Sequence, residues 1–273
     1  MEVTKNFTIL ASSILISLTS LSCCTFPKLE NNSASIQKKT EAIFFVKRRT
    51  QANVRYSGDS EGVNFEGEAG GTGVLISKKF GKSFIITANH VCYDKISQIK
   101  KSIPLAETAT ISINFTRIFV YDNNGDQHSA IPLISDAEND VCVLLAETMD
   151  VQPIRLANTK PNIGDRIVSL SLPVSIWSPR FIPIFDGFYV GKAKISTVRN
   201  FVYGFSTPSK PGSSGGAVVN SNGRLVGMIH TVRANFSHLA FCATEDQIRK
   251  DLLRAYEEYK KEKENLELML LII

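Results

Sequence analysis

The chain has 273 residues, 43% of them hydrophobic, which is enough for one large domain or two small ones with a real core and excludes a disordered protein. Its formal charge of +5 is modest and spread out. The densest charged runs, 38–49 and 257–264, accompany no nucleic-acid-binding motif, so they read as solvated faces and no nucleic-acid partner is expected.

Residues 1–22, MEVTKNFTILASSILISLTSLS, place Lys5 before an apolar, Ser-rich run, the pattern of an export signal or, if retained, of an N-terminal anchor. The run is short and polar for a membrane span. Leu21-Ser22 before Cys23-Cys24 resembles a bacterial lipoprotein box, in which Cys23 or Cys24 would be lipidated and tie the chain to a membrane. The match is imperfect, since Ser20 stands third before Cys23 and Cys23 itself precedes Cys24. Residues 23–40 are polar without periodicity and read as a flexible linker.

From residue 41 to about 245 short β-type runs alternate with turn signals. They include GVLIS, SFIITA, TISINFTRIFVY, VCVLLAE, RIVSLSL, GFYVGKAKIS, FVYGFS, GAVVN and RLVGMIHT, with DNNGDQ (122–127) as a hairpin turn. This predicts an antiparallel all-β domain, sandwich or barrel. Over 246–273 the texture becomes helical: Ile248, Leu252, Leu253 and Tyr256 recur at helical spacing behind Thr244 as N-cap. The helix ends in LELMLLII, too short to span a bilayer and suited to docking on the domain or, by self-association, on a second copy. Cys92, Cys142 and Cys242 are an odd set in apolar contexts and read as buried thiols. No metal-ligand cluster is evident, and no metal or other cofactor is expected.

The stretch PGSSGGAVVNSNGRLVG (211–227) holds Ser214 in a pattern that fits both G-x-S-x-G and G-x-S-G-G. A nucleophile elbow needs a helix directly after the serine. Here two β-type runs joined by Asn-Gly follow instead. A serine attacks a carbonyl only if a base takes its proton and a third group fixes that base. Of the four histidines, His128 and His238 read as turn or surface residues, whereas His90 ends the apolar run SFIITANH. Asp140, at the mouth of the apolar strand in NDVCVLLA, is the first carboxylate candidate, and Asp136 ranks second.

GTGVLIS, IITANHV, NDVCVLLA, GDRIVSLSLP, PGSSGGAVVNSNGRLVG and AFCATEDQIRKDL, in that order, resemble the signature segments of trypsin-like serine proteases, most of all those of the HtrA/Deg type. The resemblance covers roughly residues 66–254. It implies two perpendicular antiparallel β-barrels with the active site in the cleft between them and a C-terminal helix. It also implies His90 as general base, Asp140 as its orienting partner, Ser214 as nucleophile, and the N–H groups of Gly212 and Ser214 as the oxyanion hole. Related secreted enzymes often carry a cystine beside the catalytic histidine, but nothing near Gly73 offers Cys92 a partner.

Two departures stand out. HtrA proteases usually carry a PDZ domain after the protease domain, and only about 20 residues follow Lys250, so peptide-sensing regulation of that kind is not expected. Ser213 also stands where Asn or Asp is common, so it has no charge for a freshly cut N-terminal ammonium and no activation at a defined N-terminus is expected.

The resulting expectation is an exported serine endopeptidase, periplasmic, cell-surface or secreted, acting on proteins or peptides. The rival is an inactive scaffold or binding protein on the same fold. For specificity, the loop 206–210 that contains Ser209 offers no carboxylate to a basic side chain. His230 is one residue further along its strand than the pocket histidine of glutamyl endopeptidases, so it lines the substrate pocket or turns toward Asp140.

Overall fold

The computed structural model describes residues 32–58, 61–93, 96, 100, 109–233 and 236–272. Residues 1–31, which carry the export-signal reading and Cys23 and Cys24, lie outside them. Asn32–Thr40 form helix α1, with Ile36 packed on the core, so this half of the expected linker is ordered structure. A single large apolar side chain on a mostly polar helix is a signal too sparse for periodicity to show.

Twelve strands follow in chain order: β1 (Ile43–Arg55), β2 (Val63–Lys79), β3 (Lys82–Ala88), β4 (Thr110–Tyr121), β5 (Gln127–Asp136), β6 (Val141–Glu147), β7 (Arg166–Leu170), β8 (Ile184–Ala193), β9 (Val202–Phe205), β10 (Ala217–Asn220), β11 (Leu225–Arg233) and β12 (Phe236–Thr244). The one-turn helix α2 (Asn89–Cys92) lies after β3, and α3 (Glu245–Ile272) closes the described chain. β1–β6 close into one antiparallel barrel in the order β1-β2-β3-β6-β5-β4. β7–β12 close into a second in the order β10-β11-β12-β9-β8-β7. Closure removes the unpaired edges that an open sheet exposes.

Strand β1 meets the expectation of a solvated charged face only in part: Lys47 and Arg49 pair with Glu68 on the outer side, whereas Arg48 turns inward. Ile43, Phe44 and Val46 are buried, and so is Arg48. Alternation along a strand sends every second side chain inward whatever its neighbours carry. The main core fills the first barrel and continues through Leu170, Ala217, Val219 and Met228 onto the inner face of α3, through Ile248, Leu252 and Ala255. A second cluster, including Ile167, Tyr203, Phe205 and Ile229, fills the other barrel. Thr244 caps α3 as expected: its hydroxyl accepts from Gln247 N–H at 3.3 Å, while Gln247 Oε1 accepts from Thr244 N–H at 2.7 Å, a reciprocal capping box.

Candidate active site

His90 sits on α2, four residues long and too short to hold itself together. Its surroundings hold it. Asp140 accepts from His90 N–H through Oδ1 at 3.0 Å and pairs through Oδ2 with His90 Nδ1 at 2.8 Å. The Asp140 carbonyl accepts from Asn89 N–H at 3.1 Å. At the other end the guanidinium of Arg48 donates through Nη1 to the carbonyls of His90 and Val91, both at 2.9 Å. The His90–Asp140 bond engages Nδ1 and leaves Nε2 for other chemistry, on a side chain 36% exposed.

Asp140 has φ +56°, a left-handed conformation that Asp tolerates at some cost. The turn before it is fixed by Asp136, whose Oδ1 accepts from the N–H groups of Glu138 and Asn139, both at 3.0 Å. Asn139 in turn accepts through Oδ1 from Asn200 Nδ2 at 2.7 Å and Gln247 Nε2 at 3.0 Å, which joins the turn to the second barrel and to α3. Asp136, the second carboxylate candidate, thus shapes the turn and makes no bond to His90.

The thiol expectation fails for two of the three cysteines: Cys92 and Cys142 form a disulfide, and Cys242 is a buried free thiol. β3 and β6 are paired with Ala88 opposite Val141 and Thr87 opposite Cys142, so α2, continuing from β3, returns Cys92 onto the start of β6. The signal was present but faint. Each cysteine lies two residues past a candidate triad member, His90 or Asp140, and the bridge therefore joins the same two segments as the His90–Asp140 bond.

Ser214 lies on the loop entering β10. Gly212 has φ +95°, and a Cβ there would approach the Leu172 carbonyl and Ser175 N at 2.5 Å, so backbone and space both call for glycine. The loop is anchored nearly peptide by peptide. Pro211 C=O accepts from Val174 N–H at 2.6 Å, Ser213 N–H donates to Lys210 C=O at 2.9 Å, and Ser213 C=O accepts from Gly216 N–H at 2.9 Å. Gly215 N–H donates to Ile229 C=O at 2.6 Å. The N–H groups of Gly212 and Ser214 remain without a partner among the described residues. The Ser214 hydroxyl is also unpartnered there and is not hydrogen-bonded to His90.

His230 is buried, with Nδ1 at 3.0 Å from Thr231 Oγ1 and 3.8 Å from Asp140 Oδ2, and its Nε2 is buried without a partner. Of the two placements open in the sequence, the side chain takes the one against Asp140. Ser209, 1% exposed, donates its N–H to Ser237 C=O at 2.8 Å, and its hydroxyl is buried without a partner. Among the described residues no cluster of three or more His, Cys, Asp or Glu could hold a metal ion.

Burial pushes the His230 imidazole down to about 4, with His90 adding to the effect and the charge of Asp140 opposing it. As pH falls from 6.5 toward 4, the unfolded chain binds a proton that the native chain refuses, which lowers stability by about 3 kcal/mol across the window. Asp251 on α3 acts with opposite sign. Burial, with Asp136 nearby, raises its carboxyl to about 6, so its contribution is in place at low pH and is lost as pH rises from 3.8 through about 6. Replacing His230 with threonine should therefore remove the acid-side loss that the imidazole contributes. Urea unfolding at pH 7, 5.5 and 4 should show the variant gaining on the wild type as pH falls, and a wild-type–variant difference constant with pH would contradict this.

The profile of the Trypsin-like peptidase domain family matches residues 71–228. A Probable periplasmic serine endoprotease DegP-like of Buchnera aphidicola is 24% identical over 160 residues, which cover 58% of this chain and 30% of that protein. The chain thus spans less than a third of that relative's length. Among solved structures, the active form of the protease Rv3671c from M. tuberculosis superposes with a TM-score of 0.57 at 17% identity, covering 83% of this chain and 86% of that one. The HtrA-type protease AlgW with decapeptide superposes with a TM-score of 0.58 at 15% identity over 83% and 66%. The serine endoprotease from Yersinia pestis gives 0.56 at 21% over 81% and 65%. The fold is therefore the double barrel of these enzymes, and with the family profile spanning more than half its length the chain belongs to the trypsin-like peptidases.

Proposed function

We propose that this chain is a serine endopeptidase that cleaves protein or peptide substrates through an acyl-enzyme on Ser214. The observation that carries this reading is the rigidly framed His90–Asp140 pair together with a serine loop whose unpartnered N–H groups are those of Gly212 and Ser214. His90 Nε2 takes the Ser214 proton as the hydroxyl attacks the scissile carbonyl, and Asp140 holds the ring and stabilises the imidazolium. The two N–H groups receive the developing oxyanion. The protonated imidazole then passes its proton to the leaving amine, and water repeats the sequence to release the acid. No step calls for a cofactor or a metal.

Ser213 is buried, and its hydroxyl accepts from Lys210 N–H at 3.3 Å. The loop is shaped locally, which supports activity without a new N-terminus. We place the protease domain at residues 41–245, after an export signal at 1–22, and the proposed location is outside the cytoplasm. The periplasmic DegP-like relative supports this, as does the Cys92–Cys142 bridge, since disulfides persist in oxidising compartments.

A buried His230 cannot meet a substrate carboxylate, and Ser209 offers no charge, so the primary pocket should take small or medium apolar residues. The test is a peptide library digested by the purified chain with and without a chelator. Cleavage after apolar residues, insensitive to the chelator and with the same side-chain preference in His230→Ala, is expected. Dominant cleavage after Lys or Arg would contradict the pocket assignment. No cleavage of any peptide would favour the inactive scaffold.

A further inference from the structure

Thr72 on β2 is fully buried and lies where both barrels meet the serine loop. The β2–β3 ladder begins only at Val74 opposite Ile86, so the N–H and C=O of Thr72 are not spent on β3. The N–H donates to Ser214 C=O at 2.8 Å, and the carbonyl accepts from the Thr87 hydroxyl at 2.7 Å, three residues before His90. The side chain adds two bonds. Leu172 N–H donates to Thr72 Oγ1 at 3.0 Å, which obliges the hydroxyl proton to point elsewhere, and it donates to Gly212 C=O at 2.8 Å. A single residue thus grips the loop by the carbonyls of Gly212 and Ser214, the two residues whose N–H groups are without a partner among the described residues.

Resting on the proposed peptidase function, we propose that Thr72 is a positioning residue that sets the oxyanion site. Its hydroxyl fixes the peptide that follows Gly212, and its N–H fixes the peptide that follows Ser214. These two peptides flank the one that carries the Ser214 N–H, and the first of them follows directly on the one that carries the Gly212 N–H, so fixing them limits how far either N–H can turn as charge develops. The neighbouring glycine follows from the same closeness: Gly215 has φ +92°, and a Cβ there would collide with the Thr72 carbonyl. Thr72 touches no reacting atom in this account and acts through Gly212 and Ser214.

The discriminating variant is Thr72→Val, which keeps the shape and the backbone bonds and deletes only the hydroxyl. Loosening the loop should lower kcat by about 10- to 100-fold with KM within about threefold, because the oxyanion contact is made mainly in the transition state. A peptide boronate, whose tetrahedral oxygen occupies the oxyanion site, should lose affinity in step with kcat/KM. Thr72→Ser, which restores the hydroxyl, should stay within about threefold of wild type, a rescue that a purely structural methyl would not give. If Thr72→Val does not fold, Thr72→Cys, with a weak donor of similar size, must still lower kcat at constant KM. A folded Thr72→Val with wild-type kcat, a Thr72→Ser as impaired as Thr72→Val, or a Thr72→Cys with wild-type kcat overturns the proposal while an active wild type leaves the functional reading standing. A wild type without peptidase activity overturns both.

Discussion

Replacing Ser214 with alanine is expected to abolish peptide hydrolysis, a fall of up to roughly 10⁶-fold in kcat if the triad acts as a unit. The fold should survive. The Ser214 hydroxyl has no partner among the described residues, and the loop is held instead through backbone groups, Ser214 C=O on Thr72 N–H and Gly215 N–H on Ile229 C=O. Deleting one oxygen atom leaves those bonds in place, so thermal unfolding should match wild type within about 0.5 kcal/mol, the range of substitutions that break no packing or network. The measurement is steady-state hydrolysis of a peptide substrate beside a melting curve. A folded Ser214→Ala variant that still cleaves peptides would refute the nucleophile assignment.

Replacing both Cys92 and Cys142 with alanine should cost about 4 kcal/mol of stability. The bridge closes a loop of 50 residues, and the chain-entropy account gives about that much for a loop of this length. Both cysteines are fully buried between α2 and β6, so the substitution also slackens the frame that holds His90 against Asp140. Stability and activity should fall together, with kcat reduced more than KM is raised. Urea unfolding of the double variant decides, and a loss under about 1 kcal/mol would contradict the estimate. Peptide mapping of unreduced protein should find Cys92 joined to Cys142 and Cys242 as a free thiol, since burial raises its pKa well above the ordinary value and keeps it unreactive.

The antiparallel all-β class was legible in the sequence because the strands alternate or run apolar between turn signals, as in SFIITA, VCVLLAE and RLVGMIHT, whereas the division into two barrels came only from the resemblance to trypsin-like proteases. β1 was missed because Lys47, Arg48 and Arg49 mask the alternation, although Arg48 is buried and used to hold His90. His90, Asp140 and Ser214 stand out in the sequence as candidate motif residues. What holds them was not, because it depends on contacts between segments far apart in the chain. Thr72 meets Gly212 across 140 residues, and the Cys92–Cys142 pairing follows from the register of β3 on β6. His230 shows the limit of periodicity alone: alternation left two faces open, and His230 sits where the register of β11 on β12 shifts between Ile229 and Thr231, an irregularity the sequence does not show, with its ring against Asp140.

The most direct test of the central claim is labelling of the purified chain with a fluorophosphonate, which forms a stable adduct only on a serine that an adjacent base deprotonates and an oxyanion site receives. Peptide mapping should place a single adduct on Ser214, with no labelling in the His90→Ala variant. A folded wild-type chain that cleaves peptides but carries no adduct at Ser214, or carries it on another serine, would contradict the account.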